Sequence, residues 1–191
     1  MQMKMRKIRF ARYAAATLLA MLAQGPAPAQ VTDTPPTEVE SVLRVPSEEY
    51  RTQWVEIGTF SLLADDPAEG ARELHRVYAE KAAIAAYLEN GTFPDGTKIV
   101  KESWSTKTEK LSTGTASYAD RLQGRFVMVK DAAGQLGQGA RYGDGWGWAF
   151  FKGEETRLTI TGDYRIDCLA CHEPARGEDL LYVRGYPALR R

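Results

Sequence analysis

Phe93-Pro94-Asp95-Gly96-Thr97-Lys98-Ile99-Val100-Lys101-Glu102-Ser103-Trp104 decides what kind of fold this chain builds. Pro94-Asp95-Gly96 is a turn signal. From Thr97 the residues alternate: Ile99, Lys101 and Ser103 share one face, and Lys98, Val100 and Glu102 the other. That period of two reads as a strand. Upstream, Lys81–Glu89 places Ile84, Tyr87 and Leu88 at helical spacing, with Gly91 as the stop. Leu74–Tyr78 and Val55–Leu63 read as strands on either side of a turn at 64–70. A short helix capped by Ser47, with Glu48 and Glu49 in its first turn, ends near Trp54. Downstream, residues 105–120 are rich in Ser and Thr and read as a long loop. Gly124–Lys130 and Gly145–Lys152 read as strands, the second carrying Trp146, Trp148, Phe150 and Phe151. Asp131-Ala132-Ala133-Gly134 is a hairpin-type turn. Asp163 to about Glu173 reads as a helix, and a tail follows over Leu180–Leu189. No internal repeat is visible. The expectation is an α+β fold: an antiparallel sheet flanked by helices.

The helix expected at Asp163–Glu173 carries Cys168-Leu169-Ala170-Cys171-His172, which contains both cysteines of the chain. C-x-x-C-H is the pattern by which haem is attached covalently. Two thiols so spaced can add across the two vinyl groups of the porphyrin, and the adjacent imidazole can ligate the iron. A zinc site would need about four ligands, and no second Cys/His cluster supplies them. A thioredoxin-like dithiol belongs in a βαβ unit, which the pattern lacks. Small electron-transfer cytochromes c are helical and carry the motif early. Cytochromes c′ of the helical-bundle type carry it late but have no strands. A late motif behind several strands fits neither.

Residues 1–29 read as a secretory signal peptide. Lys4, Arg6, Lys7, Arg9 and Arg12 form a basic start, Tyr13–Ala23 is apolar, and Ala27-Pro28-Ala29 is a small-x-small cleavage site. The apolar run is too short to span about 30 Å of hydrocarbon. The expected product is therefore exported and periplasmic, the compartment in which bacteria attach haem to such motifs. Cleavage leaves 20 of the 25 basic residues against all 25 acidic ones, a formal charge of −5 on a chain that is neutral as a whole. No basic stripe points to nucleic acid, and no later segment is apolar enough to span a membrane. Residues 30–45, rich in Pro, Thr and Glu, read as a flexible leader. The remaining 46–191 make one domain.

Five blocks resemble cytochrome P-460 and its relatives, the beta-type cytochromes c′. They are Tyr50-Arg51-Thr52-Gln53-Trp54-Val55-Glu56-Ile57-Gly58-Thr59, His75-Arg76-Val77-Tyr78, Gly91 to Glu102, Gly143-Asp144-Gly145-Trp146-Gly147-Trp148-Ala149, and the cysteine motif followed by Tyr186-Pro187. The resemblance implies an antiparallel sheet with helices, usually in a homodimer. It implies one haem c, held through Cys168 and Cys171, with His172 on the iron and an open sixth position. In the hydroxylamine-oxidising members a lysine of the Val-Lys-Glu block bonds to the porphyrin edge, and that position is Lys101. Those members carry a distal Arg where this chain has His75. The nitric-oxide-binding members carry a proximal Arg where this chain has Arg176. Phe60 and Phe93 are the candidates for the phenylalanines that line their distal pocket.

Three functions follow from this resemblance. Hydroxylamine oxidation would bind substrate through nitrogen at the iron, with His75 or Asp163 taking protons and another cytochrome taking electrons. Nitric oxide capture would need an apolar distal side and no lysine bond. Plain electron transfer would need Met128 or His75 to close the iron. Met128 is the sole methionine after the signal, and it reads as core packing. His75 is the only histidine besides His172, and an imidazole titrating near pH 6.5 suits proton transfer.

Overall fold

The computed structural model describes residues 35–47 and 49–190. The stretch read as a signal peptide lies outside the described residues. In chain order the elements are β1 (Thr37–Glu38), α1 (Tyr50–Gln53), β2 (Val55–Leu63), β3 (Ala71–Ala79), α2 (Lys81–Asn90), β4 (Lys98–Leu111), β5 (Gly114–Lys130), β6 (Tyr142–Gly143), β7 (Trp146–Lys152), β8 (Leu158–Thr159), α3 (Tyr164–Asp167) and α4 (Leu169–His172). Six strands form one sheet in the order β2-β3-β4-β5-β7-β6. Every neighbouring pair is antiparallel. β1 and β8 pair separately. Among the described residues no helix is long and apolar enough to cross a membrane.

Alternation along each strand sorts the side chains onto two buried faces. Val77, Ala79, Ile99, Met128, Trp146 and Trp148 face one core, together with Ile84 and Phe93. That core is covered by α2 and by the chain from Tyr164 onward. Tyr78, Val100, Val127, Val129, Ala149 and Phe151 face a second core. Val39, Leu43, Val45 and Tyr50 cover it. The sheet is therefore a middle layer, buried on both sides. α2 forms because four of its ten residues are alanine, the best helix former. It ends at Gly91, whose φ of 77° is the left-handed cap that glycine adopts without strain.

Two expectations need correction. Residues 37–45 are packed, not a flexible leader: Val39, Leu43 and Val45 are almost wholly buried on the second face. Three spaced apolar side chains outweigh the polar composition around them. Residues 105–120 are not a loop. They are the outer part of the β4–β5 hairpin, closed at Leu111 opposite Gly114. Threonine is β-branched and fits a strand, and polar pairs join the two strands. Thr108 Oγ1 lies 2.7 Å from Ser117 Oγ, and Tyr118 donates to Glu109 at 2.8 Å.

Candidate functional site

A cavity of about 400 Å³ opens on the first face, between the sheet and the C-terminal segment. The strand period delivers its wall. Lys101, Phe126 and Phe150 lie side by side across β4, β5 and β7, with the core residue Val77 continuing the row on β3. Phe126 and Phe150 stack with centroids 4.1 Å apart and planes 15° apart. Lys101 Nζ sits 3.9 Å from the centre of the Phe126 ring. The ring replaces water with a π face, the geometry of a cation–π contact. Burial pushes the Lys101 ammonium below its ordinary value, and the Glu73 carboxylate pulls in the opposite direction. Met128 and Trp148, one row further on, complete the sheet side of the cavity.

The opposite side comes from the cysteine motif. The single helix expected over Asp163–Glu173 is broken into two short turns at Cys168, whose φ of −129° and ψ of −46° are not helical. Cys168 is buried and Cys171 is exposed. Both border the cavity, together with His172. Burial pushes the Cys168 thiol up to about 12, with Asp167 adding to the effect. His172 is held from behind: its Nδ1 lies 2.7 Å from the carbonyl oxygen of Leu180. A carbonyl only accepts, so Nδ1 carries the proton and Nε2 keeps its lone pair. Burial pushes the imidazole down to about 4. The edge of the Trp148 ring meets His172 at 4.9 Å, and Tyr182 donates to the Cys171 carbonyl at 2.5 Å.

The Leu180 carbonyl is itself delivered by an unusual turn. Asp179 and Leu180 have φ of 59° and 61°, conformations that non-glycine residues rarely take. Lys130, 7% exposed, holds the Asp179 carboxylate at 2.7 and 2.8 Å. Trp146 Nε1 donates to the Asp179 carbonyl at 3.1 Å.

Not every expected residue reaches the cavity. Lys101, His75, Cys168, Cys171 and His172 border it. Asp163 does not: it caps α3 by accepting from the Arg165 N–H at 2.9 Å and pairs with that guanidinium at 3.0 Å. Arg176 is exposed and pairs with Glu173 at 2.7 Å and Asp144 at 3.0 Å. Phe93 is core, stacked on Tyr87 at 4.6 Å. Phe60 packs edge-on against Tyr186 at 5.6 Å. Neither ring is on the cavity wall; Phe126 and Phe150 are. Met128 does border the cavity, beside its packing role. Reading the sequence missed Glu73, which borders the cavity and bonds His75 at 3.0 Å. Its signal was the two-residue spacing to His75 on a strand, which puts both on one face.

A twisted antiparallel sheet with a C-x-x-C-H segment laid across one face defines a sheet-built c-type cytochrome, a class distinct from the helical ones. A sequence model of cytochrome P460 matches residues 47–183, and the chain belongs to that family. A comparison with curated proteins found no match. The family implies a covalently bound haem. The residues present suit such a group: the exposed wall is largely apolar, and Cys168, Cys171 and the neutral His172 imidazole meet in the same space, with His75 on the sheet side.

Proposed function

We propose that this protein is an exported, periplasmic monohaem cytochrome that oxidises hydroxylamine. Cys168 and Cys171 would hold the porphyrin by thioethers, and His172 would offer Nε2 to the iron. Bound there, the haem would supply a redox-active iron able to hold a nitrogenous ligand and accept electrons. Lys101 is placed to meet the porphyrin; a bond from Nζ to a porphyrin carbon, formed with loss of two hydrogens to an external two-electron oxidant such as a peroxide, would distort and retune the group. Each electron that leaves is matched by a proton, and His75 is the basic side chain on the wall to receive one. Another cytochrome takes the electrons, nitrous oxide or nitric oxide is the product, and the working form is a homodimer.

The observation that carries this reading is Lys101: a half-buried lysine whose ammonium rests on a phenylalanine face, on the cavity that also holds Cys168, Cys171 and His172. A surface lysine would remain in water. The intact mass of the purified holoprotein tests it. A native mass below polypeptide plus haem by the hydrogens lost on forming the Lys101 bond supports the reading, and Lys101→Leu should abolish that deficit and hydroxylamine turnover while haem is retained. A wild-type mass with no deficit, together with no turnover by a suitable acceptor, would move the assignment to nitric oxide binding. The stacked Phe126 and Phe150 favour that second reading, because an apolar surface admits a neutral gas.

A further inference from the structure

His75 does not stand alone on the cavity wall. It and Glu73 are two residues apart on β3 and share a face. His75 Nε2 lies 3.0 Å from Glu73 Oε1. The same oxygen accepts from Ser103 Oγ. Ser103, 3% exposed, is directly opposite His75 on β4. The carboxylate is thus fixed from its own strand and from the next. Burial works to raise the Glu73 carboxyl, but the hydrogen bonds from Ser103 and His75 outweigh it and leave it below its ordinary value. An ionised carboxylate accepts only, so the proton of the ring sits on Nε2. Nδ1 is then the basic nitrogen. Glu73 is the ring's hydrogen-bond partner among the described residues.

We infer that Glu73 and His75 form the proton acceptor of this site. His75 Nδ1 takes the proton released from an N–H or O–H of a small nitrogenous ligand. Glu73 acts through it as a positioning residue, holding the tautomer and neutralising the imidazolium that results. The inference deepens the proposed hydroxylamine chemistry and rests on it for the identity of the substrate. Other groups set how readily the ring charges. Burial first, then the free Lys101 ammonium from β4 and Arg72 from β3, push His75 down, while Glu73 pulls it up; a bond from Lys101 to the porphyrin would remove the ammonium's share. Across the cavity, Asp167, Cys168, Cys171 and His172 face the same space from the C-terminal segment. The sum leaves the ring neutral, and so able to accept, at neutral pH.

The test uses cyanide and the ferric holoprotein. Hydrogen cyanide must lose its proton as the anion reaches the iron, so a basic side chain in the pocket sets the rate. Stopped-flow association of wild type should slow at acid pH as His75 becomes protonated. His75→Gln should remove this limb and slow association at neutral pH by about 10²-fold or more, the range of general-base catalysis. Glu73→Gln removes the charge that raises His75. Its limb should move to lower pH, by on the order of one unit. Glu73→Asp should restore the position in part. A merely structural Glu73 would change the yield of holoprotein and leave the limb where it was, which would overturn the pairing. Hydroxylamine oxidation is measured on the same variants. If cyanide follows the prediction but hydroxylamine is not turned over, the acceptor pair stands and the substrate is wrong. If hydroxylamine is turned over with a pH profile indifferent to both substitutions, the pair is wrong and the enzyme reading stands.

Discussion

At the scale of single residues, Lys101 and Glu102 show how one peptide unit serves both sides of the sheet. Lys101 faces the cavity; Glu102, fully buried, faces the second core. Glu102 accepts from Tyr50 at 2.5 Å, from Arg51 Nε at 2.6 Å and from Trp104 Nε1 at 2.9 Å. Removing a charge so enclosed leaves its donors unpaired. Glu102→Ala should cost about 3–5 kcal/mol, the range for breaking a buried ion pair from one side. Urea unfolding of the holoprotein measures it, and a loss below about 1 kcal/mol would show that water takes over the donors. Met128 gives the opposite expectation. It borders the cavity, but its thioether is one face of a packed row beside Trp148. Met128→Leu keeps volume and should leave the ferric spectrum high-spin; a low-spin wild type turned high-spin by this change would make Met128 an iron ligand. The sequence was most legible at this scale wherever a motif fixed the residue. The cysteine motif and Lys101 of the Val-Lys-Glu block landed on one cavity. Asp163 did not, although an acid just ahead of a helix is a cap signature.

At the scale of elements, two joints decide how the cavity is closed. One is the left-handed Asp179-Leu180 turn that aims the Leu180 carbonyl at His172. Lys130→Met removes the cation that holds Asp179. The freed turn should relax toward ordinary dihedrals and lengthen the hydrogen bond to His172. Resonance Raman of the ferrous holoprotein should then show a shifted iron–histidine stretch. An unshifted stretch would mean that Trp146 alone suffices to hold the turn. The other joint is the contact of the tail with β2. A Cβ on Gly185 would lie 2.1 Å from the Phe60 ring, and one on Gly58 would lie 2.7 Å from Tyr186. Such backbone proximity demands glycine. Gly185→Ala should destabilise by about 1–3 kcal/mol, the usual range for overpacking, as a lowered midpoint of thermal unfolding. Neither joint was visible in the sequence, because each depends on residues far apart in the chain. The strand β2 was legible because Val55, Ile57, Phe60, Leu62 and Leu63 form an apolar-rich run that stops at the Asp65-Asp66-Pro67 turn. The outer hairpin was not, because Ser and Thr are common in loops and in exposed strands alike. Misreading it also hid the register that sets Phe126 beside Lys101.

At the scale of the whole molecule, charge and topology both matter. Asp144 is held below its ordinary value by the hydrogen bond from Arg176 and then that from Tyr164. Glu154 is held low chiefly by Arg125, and Glu73 despite its burial. A carboxylate depressed in the folded state binds its proton more weakly there than in the unfolded chain. Its contribution is complete above the unfolded value and is lost as pH falls through the folded one. The urea midpoint of the holoprotein should therefore change little between about pH 7 and pH 5 from these groups, and should fall below about pH 4.5. A midpoint that rises on acidification would contradict the assignment.

The order of the chain also imposes an order in time. All strands of the large sheet end by Lys152, so the wall with Lys101, Phe126 and Phe150 can assemble before Cys168 has a surface to rest on. The segment from Tyr164 to Leu189 follows every strand of that sheet in the chain and covers its first face. Until it docks, Cys168 is not the buried thiol of the final structure but a reachable one. On the function proposed above, thioether formation at Cys168 needs this segment undocked, and its docking, where Tyr186 packs on Phe60, would close the thiol off.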